Sequence, residues 1–197
     1  MQIQCAKKEH AGMISKLIYS TEEDPQTVWG DGTKQEILRR LTKLVKRTDT
    51  RYSYQYARVA VHNGQVCGAI VALPHQELTV LDTQTEKMIL RWQEGFWAKL
   101  RWIVTAFKGM SLKESEPGEY YIANVATFAW VRGKGIGTKL LQDAEKRAKD
   151  HGLSKCSLIV DQAKPAVVGL YEDMGYQIDR EELLDTQKYY RMVKSLA

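Results

Sequence analysis

Apolar positions recur along this chain with two different periods, and each change of period marks a new element. After a short strand-like run, QIQCA (Gln2 to Ala6), the segment HAGMISKLIYS places Met13, Ile14, Leu17 and Ile18 on one helical face. Ser20 to Thr33 mixes proline, glycine and acidic residues without a period and predicts a loop. Helical spacing returns in KQEILRRLTKLVKR, with Ile37, Leu38, Leu41, Leu44 and Val45 in phase. Two strand-like runs follow in YQYARVAVHNGQVCGAIVALP, joined by His62-Asn63-Gly64-Gln65. An Asn-Gly pair between apolar runs predicts a hairpin, which Pro74 ends.

Residues 75 to 118 form an insert in which Ile89, Trp92, Phe96, Leu100, Ile103 and Phe107 fall three or four apart, so much of it is expected to be helical. Lys87, Arg91, Lys99, Arg101 and Lys108 lie beside its aromatic residues, a mixture that suits a membrane surface or a partner helix. The plainer expectation is that the apolar stripe packs on its own domain or on a dimer mate, which leaves a homodimer open. Glu119 to Phe128, EYYIANVATF, reads as a central strand apolar on both faces. Then come a helix with Leu140, Leu141, Ala144 and Ala148 on one face, the strand KCSLIV, a short helix opened by Pro165, and the strands YQIDR and QKYYRMV. This order predicts a mixed α/β sheet with helices on both faces.

Composition adds limits. A chain of 197 residues with no break in character reads as one domain, 1–197, long enough for a true core. With 44% hydrophobic and 27% charged residues and no long uncharged apolar run, no membrane span is expected. The N-terminus lacks a signal-like pattern, and Cys5, Cys67 and Cys156 are scattered, so a cytoplasmic protein with core thiols is expected. The net charge of +5 favours anionic partners but is too dispersed to argue for nucleic acid; a phosphorylated cofactor suffices. His10, His62, His75 and His151 show no metal-type spacing, so no metal is expected.

The candidate chemistry lies in VRGKGIGTKLL, where Gly133, Gly135 and Gly137 alternate between a strand and a helix. A glycine loop ahead of a helix N-terminus is an anion site, because bare amides and the helix dipole point at one place. The nucleotide P-loop is excluded, since no glycine precedes Gly137 by five residues and the lysine follows a threonine. The dinucleotide fingerprint fails at its third glycine, where Thr138 stands, although Asp161 mimics its ribose-binding acid. That leaves RxxGxG, met by Arg132, Gly135 and Gly137.

With this loop, and with KPAVVGLYEDMGYQ matching a later signature through Leu170, Tyr171, Gly175 and Tyr176, the sequence resembles the GNAT superfamily of acetyl-coenzyme A (acetyl-CoA) dependent N-acetyltransferases. The resemblance covers Glu119 to Ile178; Lys164 stands where that signature has Asn, and Val167 where it has Ala. It implies a mostly antiparallel central sheet of six or seven strands flanked by helices, with the helical insert between the third and fourth strands. It also implies that Arg132, Gly133, Lys134, Gly135, Ile136, Gly137 and Thr138 wrap the pyrophosphate of acetyl-CoA. Val125, Ala126 and Thr127 would pair their backbone with its pantetheine arm, and Lys164 would border the cofactor.

By the same resemblance, Tyr171 protonates the leaving thiolate while an amine acceptor attacks directly. A backbone N–H near Val125 or Ala126 is a candidate oxyanion donor. Glu119, at the start of the central strand, is a candidate general base, and Glu22, Glu23 and Asp24 are candidates to attract a cationic amine. The alternative expectation is a non-catalytic module that binds acyl-CoA.

Overall fold

The structure, a computed structural model, describes residues 1–109 and 112–196, with the backbone alone for 107–109. In chain order the strands are β1 (Gln2–Cys5), β2 (Ala57–His62), β3 (Gln65–Pro74), β4 (Glu119–Thr127), β5 (Lys155–Asp161), β6 (Gln177–Leu184) and β7 (Gln187–Ser195). The helices are α1 (Ala11–Tyr19), α2 (Pro25–Trp29), α3 (Lys34–Lys46), α4 (His75–Trp92), α5 (Phe96–Gly109), α6 (Ile136–Asp150) and α7 (Pro165–Asp173). The strands form one seven-stranded sheet in the order β1-β2-β3-β4-β5-β7-β6. Every neighbouring pair is antiparallel except β4 with β5.

Local chemistry explains the boundaries. Asn63 (φ 49°) and Gly64 (φ 76°) both take the left-handed conformation that a tight β2–β3 hairpin requires. At α3, Thr33 and Glu36 cap reciprocally: the Glu36 amide donates to Thr33 Oγ1 at 3.3 Å and the Thr33 amide to Glu36 Oε2 at 2.7 Å. Helices cover both faces of the sheet. On one, α6 and α7 bury Leu140, Leu141, Ala144, Val168 and Tyr171 against Ile70, Tyr120 and Ile122. On the other, Ile14, Leu17 and Ile18 of α1 and Ile37, Leu41 and Leu44 of α3 pack over Val59, Ala69 and Val71. Leu78 and Leu81 of α4 extend that second face onto Leu73 and Tyr121.

This is the expected fold, a mostly antiparallel sheet with the helical insert between β3 and β4. Two expectations change. The Ser20–Thr33 stretch contains α2, nucleated by Pro25 in its first turn and by Asp24 Oδ1, which accepts from the Thr27 amide at 3.3 Å. Five residues are too few to register a period. In the insert, the single stripe proposed from Ile89 to Phe107 does not survive, because the helix is interrupted at Gln93–Gly95, with Gly95 at φ 82°, and the phase restarts. Ile89 and Trp102 are buried, whereas Phe96, Leu100 and Ile103 face solvent; the Phe107 side chain lies outside the described residues. Among the described residues no helix is long and apolar enough to cross a membrane.

Candidate active site

The centre of the sheet opens where its one parallel pair comes apart. β4 and β5 are in register only at Glu119↔Lys155, Tyr120↔Cys156 and Tyr121↔Ser157. Beyond that, β4 continues to Thr127 paired with β3, and β5 continues to Asp161 paired with β7. From Ile122 to Thr127, the edge of β4 that faces β5 therefore has no strand partner among the described residues, and Ala123 to Thr127 are half-buried. An unpaired strand edge inside a molecule is a row of amide donors and acceptors awaiting an extended partner. A bulge adds to the divergence: Val71 pairs with Asn124 and Ala72 with Ile122, so Ala123 is an extra residue in β4. Val125, Ala126 and Thr127, expected to bind the pantetheine arm through their backbone, all lie on this open edge.

Past Thr127 the chain makes a 3-10 turn at Ala129–Val131 and enters α6 through Arg132, Gly133, Lys134 and Gly135, all four exposed. Gly133 (φ 74°) and Gly135 (φ 70°) are left-handed, a conformation that costs other residues about 1–2 kcal/mol. No side chain caps α6. Its first intrahelical bond is the one Lys139 donates to the Gly135 carbonyl at 3.1 Å, so the amides of Ile136, Gly137 and Thr138 precede that ladder. A Cβ added at Gly133, Gly135 or Gly137 would meet nothing within 4 Å. The loop is thus a concave run of backbone donors with space in front of it, and these features fit a pyrophosphate.

Across the cleft, β5 leads into α7, whose first turn holds Pro165 and whose N-cap is Lys164. Tyr171 sits on the buried face of α7, 7% exposed, with its ring edge-on to Tyr176 at 5.9 Å between centroids. Burial pushes its hydroxyl up to about 12. Tyr171 belongs to the same apolar cluster on this face of the sheet as Val131 and Ile136, which flank the glycine loop, and Val125 of the open edge. Lys164 reaches the opposite side of the cleft, where its ammonium pairs with Glu23 at 3.1 Å.

Of the three acidic residues in that loop, Asp24 caps α2 and Glu23 meets Lys164, which leaves Glu22. Glu22 is half-buried; burial raises its carboxyl pKa, and Lys164 and Arg51 oppose the rise. One residue of the cleft went unnoticed in the sequence. Asn124, on the open part of β4, donates to Thr21 Oγ1 at 3.1 Å, while its own Oδ1 is buried without a hydrogen-bond partner. Its signal was available as a lone polar side chain in the otherwise apolar run YYIANVA.

Glu119 is placed elsewhere. It begins β4 at the closed end of the strand pair, four residues before the bulge at Ala123, or about 13 Å along the strand. Only 3% exposed, its Oε2 accepts from the guanidinium of Arg191 and, at 2.8 Å, from the Glu116 amide. The Arg191 side chain is 1% exposed and also meets Asp179 at 2.5 Å. A carboxylate so engaged is one half of a buried ion pair at the paired end of β4 and β5.

Comparison with known proteins bears on the fold and the family. Over 115 residues the chain is 30% identical to a mycothiol acetyltransferase of Nocardiopsis dassonvillei, a match covering 52% of this chain and 34% of that protein; the chain thus spans about a third of that relative's length. A crystal structure described as an acetyltransferase superposes with a TM-score of 0.76 at 23% identity over the whole of both chains. An N-acetyltransferase from Staphylococcus aureus Mu50 gives 0.72 at 25% identity, covering 98% of this chain and all of the other. The sequence profile described as "Acetyltransferase (GNAT) family" matches residues 16–176. That span runs from within α1 to Tyr176, just before β6, and takes in the splayed strands, the glycine loop and Tyr171. The chain therefore belongs to the GNAT family of acetyltransferases.

Proposed function

We propose that this protein is an acyltransferase that moves an acetyl group from acetyl-CoA to a primary amine of a small molecule or protein by direct attack. The observation that carries the reading is the parting of β4 from β5 beside an uncapped, glycine-led helix, with a buried tyrosine on the far wall. The open edge from Ile122 to Thr127 offers amides to an extended, amide-containing arm, and the loop from Arg132 to Thr138 offers amides to phosphates. Acetyl-CoA supplies a thioester carbonyl and a thiolate leaving group.

Each residue then has a physical task. An amide of β4 at or after the Ala123 bulge binds the carbonyl oxygen as charge develops on it. Tyr171 keeps its proton at neutral pH, with the pKa pushed up to about 12 by burial, and donates a hydrogen bond to the departing sulfur as negative charge develops on it. Because a thiolate is a weaker base than this phenolate, any proton passed to the sulfur is replaced on the tyrosine from solvent. Glu22, half-buried and the member of its acidic loop not used as a cap or surface pair, receives a cationic acceptor and its proton. Glu119 acts instead as a positioning residue, clamping the base of the cleft through Arg191. Direct attack is supported by the two buried thiols, Cys5 being exposed on the edge strand β1. Cys156 is fully buried with its pKa pushed up to about 12, chiefly by burial, and Cys67 is also buried with a raised pKa, so both stay neutral and poorly nucleophilic.

The test is thiol release from acetyl-CoA measured over a panel of polyamines, amino acids, aminoglycosides and protein N-termini or lysines, with mass spectrometry of the acceptor. At least one amine should release thiol in step with its own acetylation. Binding of acetyl-CoA with no release for any amine would overturn catalysis and leave a module that only binds acyl-CoA.

A further inference from the structure

α5 leaves five large apolar side chains in solvent: Trp97 is 78% exposed, Phe96 71%, Ile103 51%, Val104 50% and Leu100 41%. Their spacing of i, i+1, i+4, i+7 and i+8 gathers them into one stripe. The opposite side of the helix is held by Trp102, 9% exposed, and by Ala106, both in the apolar cluster of α1 and α3. Two hollows flank this anchor. One of about 280 Å³ is lined by Asp31, Gln93, Arg101 and Trp102, and one of about 290 Å³ by Leu90, Trp102 and Ile103. α5 therefore stands proud of the body, fixed along one line, with its apolar stripe turned outward.

Charge selects among the occupants of such a face. α5 contains Lys99, Arg101 and Lys108 and no acidic residue. Lys99 and Arg101 are exposed, as are Lys87 and Arg91 of the preceding helix; Arg101 pairs with Asp31, which leaves Lys99, Lys87 and Arg91 as the cations of this face. A second copy meeting this face across a two-fold axis would set cationic helix against cationic helix, a repulsion that a desolvated interface makes costly. A surface that is apolar below and anionic above satisfies both parts. Aromatic rings sit at the level of lipid headgroups, and basic side chains are drawn to acidic phosphates.

We propose that α5 docks this protein on an anionic lipid surface, with Phe96, Trp97, Leu100, Ile103 and Val104 immersed among the headgroups and Lys99, Lys87 and Arg91 meeting lipid phosphates. The inference is independent of the reaction, since it rests on the outer face of the insert and not on the cleft.

The experiment is sedimentation of the full chain with phosphatidylcholine vesicles, with and without phosphatidylglycerol, at low and high salt. Binding is expected to the anionic vesicles alone and to weaken as salt rises. Two variants at exposed positions probe it: the pair Phe96→Ser with Trp97→Ser should weaken binding at least about tenfold, and Lys99→Glu at least about fivefold. Circular dichroism and Tm should stay as in the parent, because none of these side chains is buried. No sedimentation with anionic vesicles, or binding unchanged in both variants, overturns the proposal. So does a lipid-free dimer, seen by analytical ultracentrifugation, that both variants dissolve, since the face would then belong to a second copy.

Discussion

In the proposed reaction Tyr171, though buried, meets the departing sulfur, and its raised pKa keeps it in the protonated form that this task needs. A phenol pushed up to about 12 by burial stays protonated through the neutral and mildly alkaline range, so ionisation of Tyr171 imposes no alkaline limb on turnover there. Tyr171→Phe removes the proton and keeps the ring that packs on Tyr176. Turnover should fall about a hundredfold or more while the affinity for acetyl-CoA changes little, a split that steady-state kinetics with a binding titration can read. Turnover equal to the parent's would take Tyr171 out of the mechanism. Its motif was legible in the sequence, because LYEDMGY sets a tyrosine in a helix that ends at a glycine turn. The ion pair of Glu119 was not legible, because its partner Arg191 is remote in sequence and meets it only through the packing of β4, β5 and β7.

The parting of β4 and β5 is a property of elements, and Glu119 belongs to its closed end. Glu119→Gln would leave the Arg191 guanidinium buried with Asp179, 41% exposed, as its remaining acidic partner. Removing one member of a buried ion pair costs about 3 kcal/mol or more. The variant should therefore melt at a lower temperature, while turnover well below the melting point stays within a few-fold of the parent. The opposite result, an unchanged Tm with turnover down about a hundredfold, would make Glu119 the base. The strand, the glycine loop and the following helix were each readable from EYYIANVATF and VRGKGIGTKLL. The opening between the strands was not. An unpaired edge lies in the register between two strands, and apart from Asn124 and Thr127 the residues from Ile122 to Thr127 are as apolar as those of a paired central strand. The insert shows the converse error, where a three-to-four spacing carried across Gly95 joined two helices whose apolar faces do not continue.

For the molecule as a whole, ligand binding and stability are coupled, because anything that binds only the folded chain raises its melting point. Acetyl-CoA at a hundredfold excess over its dissociation constant should stabilise the chain by about 2.7 kcal/mol, or about 5–10 °C for a domain of this size. NADH should give no shift. Gly137 separates loop from fold in the same assay. Its conformation is helical and a Cβ there meets no protein atom within 4 Å, so Gly137→Ala should raise the unliganded stability by about 0.4–1 kcal/mol. The added methyl also narrows the approach to the amides of α6, so the shift produced by acetyl-CoA should shrink. An unchanged shift would mean that phosphate does not rest on this helix.

By itself the sequence determined the order of the elements apart from α2 and the break between α4 and α5, the hairpin at Asn63-Gly64, the glycine loop at the start of α6 and the tyrosine helix. These depend on interactions within a few residues, such as spacing, capping and left-handed glycines, and such terms are written locally in the chain. Tertiary structure alone decided that β4 parts from β5 after Tyr121, that Glu119 is locked to Arg191, and that the aromatic stripe of α5 faces outward. Each of those depends on which distant surfaces meet. Periodicity marks the apolar face of a helix or strand but not what covers it, and it marks a strand but not the neighbour it lacks.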